Sequence, residues 1–218
     1  MSKTEKGDIK NMILCRCFDC EEHAEEFLCG KIRMMSLEYY RKKEADENGR
    51  KDKYEGVQKL WQGEHTTVKI DDIEISGKDG LLSIVLRSNE HEHDTKICCC
   101  TLLDVNKQGV NTESLKEFKL PYCIIFVNPD EFLNRFQKAA KGLDWKTGKV
   151  LFYDEKSYNG DLHEFMKPKS FQWQNEFRLA LIKNERDPFY LEIGDIHSLA
   201  RLYKTEDLIK DLDNAQIY

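Results

Sequence analysis

The chain of 218 residues has only 4 prolines and 12 glycines, which argues against long disordered linkers. It has no apolar run near the ~20 residues needed to cross a bilayer, so a helical membrane span is not expected. Its first residues, Met1-Ser-Lys-Thr-Glu-Lys-Gly7, lack the apolar core of a signal peptide, and a cytoplasmic location is expected. Positive charge is not in excess: 34 Lys and Arg stand against 40 Asp and Glu, a net −6. That balance disfavours coating of nucleic acid by the whole surface but leaves room for a local basic groove. No two separated C-x-x-C knuckles occur among the 8 cysteines, so the stronger zinc signature is missing. The histidines, among them His65, His163 and His197, have no spacing that suits an acid–base pair, so a metal-independent ribonuclease ranks last.

What is present supports a single domain over residues 1–218, with 40% hydrophobic residues for a core and 34% charged residues for a surface. The pattern predicts an α+β fold with one antiparallel core. A short strand over Met12–Phe18 is followed by a helix over Glu21–Leu28 that stops at Gly30, with acids in its first turn. A second extended piece covers Lys31–Ser36. Residues 41–56 are almost wholly polar. They read either as a solvated loop or as a functional one carrying Arg41, Arg50 and Tyr54.

Further strands are expected at Thr67–Ile75, Leu81–Leu86, Lys96–Leu103, Cys123–Val127 and Lys149–Tyr153, with Ser76–Gly80 as a hairpin turn. His91 and His93 fall in a polar turn from Ser88 to Asp94. Asn128 caps a helix with Pro129 at its first position. Pro188–Ile193 reads as the hairpin partner of the strand before it, and Asp195 as the cap of a final amphipathic helix bearing Leu199, Leu202, Leu208 and Ile209.

By residue type, two groups could hold a metal: Cys15-x-Cys17-x-x-Cys20 with His23 and Cys29, and His91-x-His93 with Cys98-Cys99-Cys100. Cys15, Cys17, Cys98 and Cys100 alternate on strand-like segments, where cysteine serves as a small core hydrophobe, and no metal ligand is assigned.

The most informative stretch is Lys169–Ile182, read as one long strand. Phe171, Trp173, Asn175, Phe177, Leu179 and Leu181 share one face; Gln172, Gln174, Glu176, Arg178, Ala180 and Ile182 share the other. Packing alone does not require a carboxylate mid-strand. Glu176 is either half of a structural pair with Arg178 or a catalytic carboxylate on a rigid element.

Cys15-Arg16 on the first strand, the helix ending Glu25-Glu-Phe-Leu-Cys-Gly30, the extended Ile32-Arg-Met-Met-Ser36 and the late Gln174-x-Glu176 resemble DarT-type ADP-ribosyltransferases. The resemblance covers about the first fifty residues and the Gln174-x-Glu176 stretch. It implies a split antiparallel β-core with flanking helices, and NAD as substrate. It also implies a toxin or phage-defence effector that modifies nucleic acid, RNA or DNA, with a protein acceptor as the variant and an antitoxin as partner. By the same resemblance Glu176 stabilises the developing oxocarbenium charge and Gln174 positions the acceptor. Arg16, with Arg41 and Arg50 as further candidates, pairs with the pyrophosphate, and Tyr39 or Tyr40 stacks on nicotinamide. The family's first-strand His and its Ser-Thr-Ser and Arg-Ser-Pro-Met motifs have no counterpart here. The competing class is a non-enzymatic binding protein, zinc-stabilised or simply β-rich, with exposed aromatics for a partner.

Overall fold

The computed structural model describes residues 11–42, 52–63 and 66–215. The N-terminal expectations hold closely: β1 spans Met12–Phe18, α1 Glu21–Leu28 and β2 Lys31–Ser36, followed by a short α2 over Leu37–Lys42. Gly30, at φ +91, ends α1, and a Cβ there would come within 2.0 Å of the Gly194 carbonyl. Gly30 also accepts a hydrogen bond from the Ile193 N–H at 2.9 Å, so this crossing admits no side chain.

The middle of the chain holds β3 (Lys59–Gln62), β4 (Thr67–Ile70), β5 (Ile73–Ser76), β6 (Ser83–Leu86) and α3 (Asn89–Asp94). The expected long strand over 67–75 is instead the hairpin β4–β5, turned at Asp71 in the left-handed region (φ 52). Ser76–Gly80 is not a hairpin turn to the next strand. It is a capping box on a 3₁₀ turn, and β6 pairs with β3. The segment holding His91 and His93 is helical, capped by Ser88.

Next come β7 (Thr95–Asn106), β8 (Gly109–Val110), α4 (Glu113–Phe118), β9 (Tyr122–Phe126), α5 (Pro129–Ala139), β10 (Trp145–Lys149), β11 (Leu151–Tyr153), β12 (Gly160–Asp161), β13 (Met166–Pro168), β14 (Glu176–Ile182), β15 (Phe189–Glu192), β16 (Ala200–Lys204) and α6 (Thr205–Asp213). Asn128 caps α5 with its side chain, and Pro129 opens the helix.

The main sheet runs β10-β14-β7-β1-β9-β16, every pair antiparallel, with β2 also on β7. β15 pairs with β2 and not with β14, because its alternate residues pack Leu191 onto the α1–β2 unit. The final helix begins at Thr205, not at Asp195. Ala200–Lys204 alternates inward and outward residues and takes the free edge of β9, so Leu202 belongs to a strand. One face of the sheet carries the main core, with Leu14, Cys98, Cys100, Phe177, Leu179 and Leu181 packed against Phe27, Phe132 and Phe136 of the helices.

The sheet opens between β1 and β2. β1 pairs with β7 from Met12 to Cys15 (opposite Asp104 to Thr101), and beyond Cys15 it pairs only with β9. On the same edge of β7, β2 takes Lys96 and Ile97. Residues 98–100 of β7 therefore face a gap between β1 and β2.

Behind this gap a buried charge pins the loop before β15. Lys96 is 0% exposed, and its ammonium donates to Asp187 Oδ1 at 2.8 Å. Asp187 also accepts from the Ser36 N–H at 3.0 Å and from the Ser36 hydroxyl at 2.5 Å. Asp187→Asn is expected to cost about 2 kcal/mol, because the amide leaves the buried ammonium with a weaker acceptor. The midpoint shift in urea unfolding checks this.

Candidate functional site

The gap in the sheet is the floor of a cleft of about 190 Å³, and Glu176, Gln174, Arg16 and Tyr40 all line it. Register explains the gathering. Glu176, the first residue of β14, lies opposite Thr101 of β7, and Thr101 lies opposite Cys15 of β1. Arg16 is the next residue, at the point where β1 leaves β7. Its guanidinium fills the gap, donating to the Cys98 sulfur at 2.9 Å and to the Cys99 carbonyl. It also stacks 5.3 Å from the ring centroids of Phe18 and Phe27. Its Nε is buried and has no partner among the described residues. A Cys100 hydrogen bond and the Arg16 charge, working against burial, bring the Cys98 thiol down to about 7.

Gln174 reaches the cleft differently from the sequence expectation. Residues Lys169–Gln174 form a 3₁₀ turn, and Asn175 follows in the left-handed conformation, φ 40. Only Glu176–Ile182 is strand. Asn175 tolerates this conformation because its amide bonds back to the Leu102 carbonyl at 2.6 Å and to Asp104 at 3.2 Å. The turn brings Gln174 beside Lys167 of β13, which donates to Gln174 Oε1 at 2.8 Å.

Glu176 is 4% exposed, and both its oxygens are engaged. Arg178 Nε donates to one at 2.6 Å and Lys167 Nζ to the other at 2.7 Å. Burial pushes the carboxyl up, but the two cations outweigh it and hold Glu176 well below the usual carboxylate range. Arg178, 0% exposed, also grips Glu55 with both terminal nitrogens at 2.8 and 2.7 Å and donates to the Glu164 carbonyl. Burial lowers the Lys167 ammonium, and Glu176 together with Glu55 and Cys99 more than restores it, so Lys167 stays charged.

Three contributors, Lys167, Glu55 and Asp52, escaped the sequence reading. Asp52 is 4% exposed and lines the cleft. Its Oδ1 accepts from the Tyr54 N–H at 2.8 Å, while its Oδ2 is buried without a partner among the described residues. Burial and then the nearby Glu55 charge push Asp52 up to about 7. The sequence held one usable signal: Asp52 and Glu55 end a polar run immediately before Gly56, which has φ +78 and packs where a Cβ would meet Glu92 Cγ at 2.7 Å.

Other expected site residues stand elsewhere. Arg41 is committed to Glu92, with Nε and Nη2 at 2.8 and 2.7 Å from its oxygens, and does not line the cleft. Tyr39 also lies off the cleft lining and packs edge-on against Tyr40, centroids 5.4 Å apart. Arg50 and most of the polar loop lie outside the described residues.

A second groove of about 180 Å³ adjoins the first. It shares Arg16, Cys17 and Leu120 with it and adds His23 and Arg33. At its mouth the ligand atoms of Asp19, Cys20 and His23 lie within 4.8 Å of one another, without Cys15, Cys17 or Cys29. Among the described residues no helix is long and apolar enough to cross a membrane. Comparison with models of protein families, with curated proteins and with solved structures gives no match to the chain.

Proposed function

We propose that the chain is an NAD-dependent ADP-ribosyltransferase that modifies nucleic acid. The observation that carries this reading is the convergence of Arg16, Tyr40, Gln174 and Glu176, from three separate segments, on one cleft at an opening in an antiparallel sheet. Breaking the nicotinamide–ribose bond spreads positive charge over the sugar, and a fixed, ionised carboxylate lowers the energy of that charge. Glu176 suits the task because Lys167 and Arg178 keep it ionised and immobile. Glu176 Oε2 accepts from Lys167 and, at 3.5 Å, from Arg178 Nη2, so a ribose hydroxyl would add to Oε1, which accepts from Arg178 Nε. Arg16 joins the two grooves, and its Nε, without a partner among the described residues, and the Arg33 guanidinium beyond it are donors that a pyrophosphate could use. Tyr40 supplies an aromatic wall. Exposed Lys53 and Lys119, each adjacent in sequence to a cleft-lining residue, suit a polyanionic acceptor.

One observation favours the non-enzymatic reading. Glu176 is already paired on both oxygens, which is how a purely structural ion pair looks. The two readings part in one experiment. Biotinylated NAD is incubated with a cell lysate and either wild type or Glu176→Gln. The transferase reading expects label on nuclease-sensitive material with wild type alone. Protease-sensitive label would move the acceptor to protein. A folded wild type that neither transfers label nor releases nicotinamide would leave the binding role.

A further inference from the structure

We propose that Asp52 is the general base of the cleft, taking the proton from an acceptor hydroxyl or ring N–H as that atom attacks the ribose. This rests on the transferase reading and adds to it the group that activates the acceptor. Geometry carries it. Asp52 lines the same cleft as Glu176 and is 4% exposed, yet its Oδ2 has no partner among the described residues. Buried oxygens are nearly always satisfied, and an orphan in a cleft is an acceptor held for something that arrives. Glu176 cannot fill this role, since two cations hold its proton affinity far too low. A base should sit near the working pH.

The surroundings set that poise. Glu55 comes from the same turn, Lys167 from β13, Arg178 from β14 and Tyr153 from β11. Asp52, Glu55 and Glu176 are three carboxylates facing two cations, so the third is the one that gives way. Burial and Glu55 raise Asp52 to about 7, against the pull of Lys167 and Arg178. The Tyr153 hydroxyl is itself buried without a partner among the described residues and is pushed up by burial and by the Asp52 charge, so it stays protonated.

In the step, the acceptor oxygen or nitrogen forms a bond to the ribose anomeric carbon. The carbon–nitrogen bond to nicotinamide breaks, its electron pair neutralising the pyridinium, and the acceptor proton passes to Asp52 Oδ2 and then to water. Asp52 must be ionised beforehand, so the rate should rise with pH through about 7 and level off above it.

The test compares wild type, Asp52→Asn and Asp52→Ser for transfer from biotinylated NAD between pH 5.5 and 9, with NAD affinity measured by calorimetry. Both variants keep an oxygen for the Tyr54 N–H, and a thermal melt establishes folding. The expected result is a loss of at least about tenfold in transfer at pH 8 in both variants, no inflexion near neutrality, and NAD affinity within about threefold of wild type. A folded variant that keeps wild-type transfer and the same pH profile overturns the role of Asp52 and leaves the transferase reading intact. A wild type that transfers nothing and releases no nicotinamide overturns both.

Discussion

Arg178→Met is expected to destabilise the fold by about 3–5 kcal/mol, the usual result of stripping one partner from a buried ion network. The side chain is 0% exposed and holds two carboxylates at once, Glu55 through two bonds and Glu176 through its Nε. Methionine fills comparable space but leaves Asp52, Glu55 and Glu176 facing Lys167 alone. A loss of this size is a large part of the ~5–15 kcal/mol that holds a domain together. For a chain of this length it lowers the melting temperature by roughly 6–20 °C. The deficit should depend on pH. In the variant Glu176 and Asp52 lose the Arg178 charge that lowers both carboxyls, so both move up in the folded state. The folded state then binds more protons, and stability falls as pH rises from about 4 toward neutrality. Melting Arg178→Met at pH 5 and pH 8 should therefore show the larger deficit at pH 8. Adding Glu55→Gln and Glu176→Gln should recover part of it, since what Arg178 balances is then gone. A deficit under about 1 kcal/mol at both pH values would mean that water reaches the network freely.

Much of this arrangement was legible in the sequence where local pattern and tertiary demand agree. β1, α1 and β2 follow from an acidic helix start, an apolar stripe and a glycine stop, and the structure keeps all three. A carboxylate among apolar neighbours marked Glu176, which opens β14 and is buried. The pattern misled where period-2 alternation has another cause. Phe171, Trp173 and Asn175 alternate like a strand, yet the chain turns through a 3₁₀ segment and a left-handed Asn175, which alternation cannot report. The same ambiguity, reversed, made Ala200–Lys204 look helical until the open edge of β9 decided it. Asp52, Glu55 and Lys167 were hidden for a different reason. A charge in a polar run is normally solvated, and only long-range contact with Arg178 and Glu176 shows that these are not. The partner of Arg41 was hidden in the same way, since Glu92 lies 51 residues away.

Glu176→Gln should separate chemistry from architecture. The amide keeps the shape but offers one acceptor and one donor where the carboxylate offers two acceptors. Either Arg178 or Lys167 then meets an N–H, and the sugar charge loses its anion. Transfer of label should fall by about a thousandfold, as when a principal electrostatic stabiliser is removed. Stability should fall by only about 1–3 kcal/mol, because the volume stays filled and one hydrogen bond survives. The stability loss carries its own pH signature. Glu176 is depressed below its unfolded value, so its contribution is complete above about pH 5 and disappears as pH falls below about 4.5 toward its folded pKa. Wild type and variant should thus differ by a constant amount at pH 6–8 and converge in acid, as urea unfolding at pH 3.5 and pH 7 would show. The activity loss should instead persist at every pH where wild type is active. A variant destabilised in this pH-dependent way yet fully active would make Glu176 a structural counter-ion to Lys167 and Arg178, and the cleft would need another carboxylate to stabilise the sugar.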